Sequence, residues 1–271
     1  MRSAPFLCLA IVLLAAASTG ACTGVVISRD GKTLVGVNED WFRPDAYVWA
    51  SPAPGRLHAV VYFGYEVINE FGPNEHPFWY EFQGVNDAGL FFDSFSAPCG
   101  VEEGGTGGRR YVGRMERLIM QTCGSVEDAV RVMTQYDRSY MDCMQYLPVD
   151  RSGAAAVVEA GTVVWMEDDT LAVTNFHLSN PSHDHHPCWR YAAATRALKA
   201  NSEPSVGRIT YTLSTARTAS TQYSIVCDLA EDVAYVYYLG NFARPLAVDL
   251  KTLWSEGSSY VPLSSLGQAE N

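Results

Sequence analysis

Positive charge is scarce in this chain: nineteen lysines and arginines stand against thirty aspartates and glutamates, for a net charge of −11 over 271 residues. A surface so short of basic residues does not suit a phosphate backbone or an anionic membrane. Long apolar runs are missing beyond the first residues, and no later stretch approaches the roughly 18 residues of a membrane-spanning helix. The chain also lacks internal repeats, linkers and low-complexity blocks. Its one glycine-rich stretch, 104–108, is not followed by Lys-Ser/Thr and no strand feeds it, which excludes a phosphate loop. With 48% hydrophobic and 12% aromatic residues, disorder is excluded, and the length supports a sizeable core.

The beginning is different. Met1-Arg2 give a short positive start, and residues 6–17 are an almost unbroken apolar run. Ser18-Thr19-Gly20-Ala21 then supply small residues, with Thr19 at −3 and Ala21 at −1 of a signal-peptidase site. The expectation is a signal peptide over 1–21 and a single mature domain over 22–271, secreted or periplasmic. Six of the seven cysteines remain after such a cut: Cys22, Cys99, Cys123, Cys143, Cys188 and Cys227. An oxidising compartment favours pairing. With Cys22 kept free and Cys227 in an apolar strand-like run, one or two bridges are expected among Cys99, Cys123, Cys143 and Cys188, connectivity open.

Alternating apolar residues predict strands at 22–28 and 33–38, joined by a turn at Asp30-Gly31, the usual hairpin signal. Further strands are predicted at 46–50, 58–63, 78–82 and 90–95, the last after the turn Asn86-Asp87-Ala88-Gly89. Residues 99–110 read as a glycine-rich loop. Helical spacing marks 111–121, and Ser125 caps a second helix over 126–135 with Asp128 three residues on. Strands return at 154–159, 163–166 and 171–174, a helix at 189–200, and a last strand pair at 221–228 and 233–239. This order argues for two sheets with helices outside rather than a doubly wound parallel sheet.

A cut after Ala21 exposes a cysteine that carries both a thiol and a free α-amine. Such an amine has a pKa of about 7.7–8.0 and can take the thiol proton, so one residue supplies nucleophile and base. The thiolate attacks an acyl carbon, the amine protonates the leaving group, and water completes the cycle. This chemistry calls for no metal and no organic cofactor.

Four motifs in order strengthen that reading. Cys22-Thr23-Gly24 with the Asp-Gly hairpin and Gly36-Val37-Asn38-Glu39-Asp40-Trp41 resembles the start of the choloylglycine hydrolase and penicillin V acylase group, N-terminal nucleophile (Ntn) hydrolases of linear amide C–N bonds. Gly84-Val85-Asn86-Asp87-Ala88-Gly89-Leu90, Val173-Thr174-Asn175 and Thr221-Gln222-Tyr223-Ser224 resemble later motifs of the same group, so the likeness covers nearly the whole mature chain. The resemblance implies an α+β, four-layer αββα sandwich of two mostly antiparallel sheets. It implies Cys22 as nucleophile, Asp40 holding its amine, and Asn175 donating to the oxyanion. The group often has Arg where this chain has Val37. A second asparagine of the group falls on Ser96, whose hydroxyl also donates. The group's late arginine has Arg217 as its nearest counterpart. The implied partner is a small-molecule N-acyl amide, and an acyltransferase acting through the same thioester is the enzymatic alternative.

Blander readings remain beside these. Thr19-Gly20-Ala21-Cys22 half fits a lipoprotein signal, which would make Cys22 the anchor of a ligand-binding surface protein. Cys22 is otherwise a disulfide half. Asp40 reads equally as a turn acid, Asn175 as a strand-end residue, Arg217 as a surface ion-pair residue and Ser96 as a loop hydroxyl. The run His183-Asp184-His185-His186 has zinc-ligand types, but adjacent residues rarely converge on one ion, and flanking Pro181 and Pro187 mark an exposed loop. Trp41, Phe42, Trp49 and Tyr80 are candidates for an acyl pocket, with core packing as the alternative.

Overall fold

A computed structural model describes residues 21–266 apart from 54, 56, 68–77, 100–107, 110, 112, 142, 180–187, 258 and 259. The hairpin that opens the mature chain is β1 (Thr23–Arg29) and β2 (Lys32–Asp40), paired from Thr23–Asn38 to Arg29–Lys32. Its turn residues Asp30 and Gly31 both have positive φ, 53° and 74°, the geometry of the tight turn that matches strand twist. There follow β3 (Ala46–Ser51), β4 (Val60–Val67), β5 (Phe78–Asn86) and β6 (Leu90–Ser96). Helices α1 (Met115–Thr122) and α2 (Val126–Thr134) come next, the latter capped by Ser125, whose hydroxyl accepts from the Asp128 N–H at 3.2 Å. Strands β7 (Met144–Asp150), β8 (Ala156–Val158), β9 (Val163–Trp165) and β10 (Thr170–Val173) lead to α3 (Trp189–Ala200) and α4 (Val206–Thr215). The chain closes with β11 (Thr221–Asp228), β12 (Val233–Tyr238), β13 (Leu246–Asp249), α5 (Leu250–Glu256), the short β14 (Val261–Pro262) and α6 (Leu263–Leu266).

The strands form two antiparallel sheets, one ordered β10-β1-β2-β11-β12-β13 and the other β14-β3-β4-β5-β6-β7-β8-β9. Alternation along each strand sends one set of side chains between the sheets and the other toward helices. Val35, Val37, Phe63, Val85, Phe91, Phe95, Ile225 and Cys227 fill the space between the sheets. Leu34, Val25 and Ile27 on the opposite face meet Ala194 and Leu198 of α3 and Ile209 and Leu213 of α4. Val60, Tyr62, Leu90 and Phe92 meet Ile119 and Met120 of α1 and Ala129 and Met133 of α2. The result is the expected four-layer αββα sandwich. Gly36 lets α4 approach β2 closely: a Cβ there would stand 2.2 Å from the Ile209 side chain.

The structure adds α4, β7 and, after residue 239, β13, α5, β14 and α6, none of which the strand and helix signals marked. Helix α4 carries three threonines with Val206, Gly207 and Ile209, all weak helix formers, and is held by its Ser205 cap and its packed face. Strand β7 contains Pro148, an unusual residue for a strand paired on both sides. The predicted helix over 111–121 begins later, at Met115. Cys99 pairs with Cys143, one bridge from the four candidates, while Cys22, Cys123 and Cys227 are free thiols.

Candidate active site

One step beyond the Thr23–Asn38 pair, Cys22 lies across the hairpin from Glu39. Both share the parity of the side chains that point between the sheets, as Val26, Val35 and Val37 do. Cys22 is 6% exposed, and its thiol donates to Glu39 Oε2 at 3.6 Å. Burial, followed by the carboxyls of Glu39 and Asp93, pushes the thiol well above its ordinary range, and the Asp40 backbone N–H pulls it the other way.

Asp40 ends β2 on the other face and is fully buried. Its Oδ1 accepts from the Thr221 hydroxyl on the neighbouring β11, and its Oδ2 has no hydrogen-bond partner among the described residues. Burial raises its carboxyl to about 6, against the opposing pull of the Thr221 hydrogen bond and the Arg190 guanidinium. The Asp40 carbonyl accepts the Ala21 N–H at 3.1 Å, so β2 holds the backbone of the segment that precedes Cys22.

Asn175 stands just past β10, the strand that pairs with β1 on its other side. Its Nδ2 donates to the Ser96 carbonyl at 2.9 Å, and its Oδ1 accepts from Arg190 at 3.0 Å. Arg190, in the first turn of α3 and 8% exposed, is the hub of this cluster. One of its terminal nitrogens donates to the carbonyls of Ala21 and Cys22 and, at 3.2 Å, to the Thr23 hydroxyl, while the other holds Asn175. A planar fork of donors suits such a shared role better than an ammonium does.

Of the residues read from the sequence, Cys22, Asp40 and Asn175 are thus brought together, and Ser96 joins them through its backbone carbonyl rather than through the expected hydroxyl. Arg217 is not brought in: it is exposed on the loop after α4 and donates to the Leu239 carbonyl at 3.4 Å. Trp41 packs edge-on against Phe82, with ring centroids 5.4 Å apart, and near Tyr65, which in turn neighbours Tyr223. Phe42 stacks on Trp41 and is 62% exposed, at the rim of this aromatic wall. Trp49 does not belong to it. Its strand parity turns it to the outer face of the second sheet, against Tyr62 and Tyr260. The Tyr80 side chain, the 183–186 run and most of the 99–110 loop lie outside the described residues.

The sequence reading missed Arg190, Glu39, Gln83, Asp93 and Tyr223. Gln83 of β5 donates through one amide nitrogen to Glu39 at 2.9 Å and to Asp93 of β6 at 3.0 Å. Its oxygen accepts from the Tyr223 hydroxyl of β11 at 2.7 Å. All four residues are at most 1% exposed, so a polar link joins the two sheets beside the thiol. A signal for them existed: Glu39, Gln83, Asp93 and Tyr223 share the strand parity of Val37, Val85, Phe91 and Ile225, all core side chains. Arg190 had no such signal, because only the packing of α3 against β1 brings it to Cys22.

No protein-family model and no curated protein matches the chain. Solved structures do. A variant of the conjugated bile acid hydrolase of Clostridium perfringens superposes with a TM-score of 0.66 at 15% identity, over 89% of this chain and 97% of that one. The penicillin V acylase of Agrobacterium tumefaciens superposes with a TM-score of 0.58 at 13% identity, over 87% and 88% respectively. The chain shares the fold of these proteins, a sandwich of two antiparallel sheets between helix layers.

Proposed function

We propose that the protein hydrolyses a linear, non-peptide amide of the N-acyl type through a thioester on Cys22. The observation that carries this is the convergence on one residue: Cys22, at the start of the central hairpin, has Asp40 beside its backbone and Asn175 linked to it through Arg190. The fold shared with a bile acid hydrolase and a penicillin acylase supports the same reading.

The mature protein is residues 22–271, a single domain, secreted or periplasmic. Removal of 1–21 makes the Cys22 nitrogen an amine and takes away the Ala21 carbonyl that Arg190 holds. Arg190 then positions the Cys22 backbone and Asn175, whose amide donates to the acyl oxygen as negative charge develops. The buried Asp40 carboxylate holds the amine, which carries a proton to the leaving nitrogen and recovers one from the hydrolytic water. Trp41, Phe42 and Phe82 form an apolar wall for the acyl group.

The test is a screen of N-acyl amides with protein beginning at Cys22. Turnover is expected from that protein, and none is expected from a Cys22→Ala variant or from protein keeping one extra residue before Cys22. Full turnover with a blocked Cys22 nitrogen rejects the reading. Mass spectrometry of the natural N-terminus provides an independent check: a free cysteine is expected, and a lipidated one speaks for the binding protein instead.

A further inference from the structure

We propose that Glu39 is a second proton-handling residue of the Cys22 centre, the acceptor of the thiol proton, held in place by the inter-sheet link through Gln83. The inference rests on the reading of Cys22 as nucleophile and goes beyond it, because the α-amine alone suffices for that reading.

The geometry is specific. Glu39 Oε2 receives two donors, the Cys22 thiol at 3.6 Å and the Gln83 amide at 2.9 Å, while its Oε1 has no hydrogen-bond partner among the described residues. Gln83 cannot turn freely, since Tyr223 fixes its oxygen and Asp93 takes its second amide hydrogen. The carboxyl is therefore locked toward the sulfur from a fully buried position. A buried carboxylate with one free oxygen is costly for the fold and calls for a role.

The groups facing Glu39 are Cys22, its neighbour Asp40 on β2, Tyr65 of β4, Asp93 of β6 and Tyr223 of β11. Burial and the Glu39 charge push Asp93 well above the carboxylate range. Burial likewise raises Glu39, offset by its hydrogen bonds from Gln83 and Cys22, to about 7. That value suits a proton acceptor working near neutral pH. Thiolate and carboxylate disfavour each other at this separation, so the pair shares one proton.

The cycle then balances. As the S–C bond forms, the thiol proton passes to Glu39 Oε2 and the carbonyl π pair moves to oxygen. As that pair returns, the C–N bond breaks and the nitrogen takes a proton from the α-ammonium. The amine then takes a proton from the attacking water. When the C–S bond breaks, the sulfur takes its proton back from Glu39. The division leaves each proton carrier in its starting state after one turnover.

Alkylation of Cys22 by iodoacetamide, followed by mass spectrometry from pH 5 to 9, tests this without any substrate. In the unchanged protein the rate is expected to rise around pH 7 as Glu39 ionises. Glu39→Gln keeps the shape and an acceptor for Gln83, and it should abolish that inflection and slow alkylation at pH 7.5 at least tenfold. A charge that merely sits nearby gives the opposite sign, because its removal lowers the thiol pKa and speeds alkylation. A faster or unchanged rate in folded Glu39→Gln therefore overturns the proposal. If that variant fails to fold, the 13C carboxyl resonance of Glu39 in the unchanged protein decides: it should titrate near pH 7 and move when Cys22 is alkylated, and a resonance indifferent to alkylation overturns the proposal. Failure of the parent reading shows separately, as turnover that survives in Cys22→Ala.

Discussion

The buried Glu39 makes a quantitative claim about stability. In the unfolded chain its carboxyl titrates near 4.5, and in the folded protein near 7, because burial penalises the charged form. Below pH 4.5 both states are protonated and Glu39 leaves stability unchanged. Between 4.5 and 7 the unfolded chain releases its proton first, so the folded state binds more protons and stability falls as pH rises. Above 7 both are ionised and the loss is complete. A shift of this size corresponds to about 3 kcal/mol, at about 1.4 kcal/mol per pH unit. For a chain of this length that is a fall of roughly 10 °C in melting temperature. Denaturant unfolding of Cys22→Ala, with and without Glu39→Gln, at pH 5, 6, 7 and 8 isolates the effect. The alanine removes the thiol that shares the proton and also removes a hydrogen bond that lowers the Glu39 pKa, so the sign is kept. The two proteins should be close in stability at pH 5, and the glutamine protein should lead by a margin of order 3 kcal/mol at pH 8. Parallel loss in both from pH 5 to pH 8 refutes the account of Glu39 as a carboxyl penalised by burial.

Three further outcomes follow from the same geometry. Asp40→Asn should lower amide turnover by about 10²-fold and remove the Asp40 step near pH 6 from the acid side of the pH–rate profile, leaving the Glu39 step near pH 7 in place. Arg190→Lys cannot serve the Cys22 carbonyl and Asn175 together, so kcat should fall roughly tenfold or more with the charge retained, as steady-state kinetics will show. Gly36→Ala should cost about 1–3 kcal/mol in denaturant unfolding, because the new methyl group meets Ile209 and drives α4 from β2.

Local chemistry alone determined much of this protein. Asp30-Gly31 closes the first hairpin because both residues tolerate positive φ, and Ser125 starts α2 because its hydroxyl satisfies an open N–H. Strand alternation at 33–38, 90–95 and 221–228 fixed which side chains face the core. The motifs pointed to Cys22, Asp40 and Asn175, and these lie near one another because β1, β2 and β10 are neighbours in one sheet. Tertiary structure decided the rest. Arg190 is 168 residues from Cys22 in sequence, and no local rule says which helix residue reaches a hairpin. Arg217 carries the right charge, but its loop turns it to the Leu239 carbonyl. Trp49 has the right chemistry for an acyl pocket and the wrong strand parity. Glu39, Gln83, Asp93 and Tyr223 were visible only as polar residues at core positions. Their meaning depends on two sheets meeting face to face, because a buried polar group acquires its partner, its pKa and its task from the strand packed opposite.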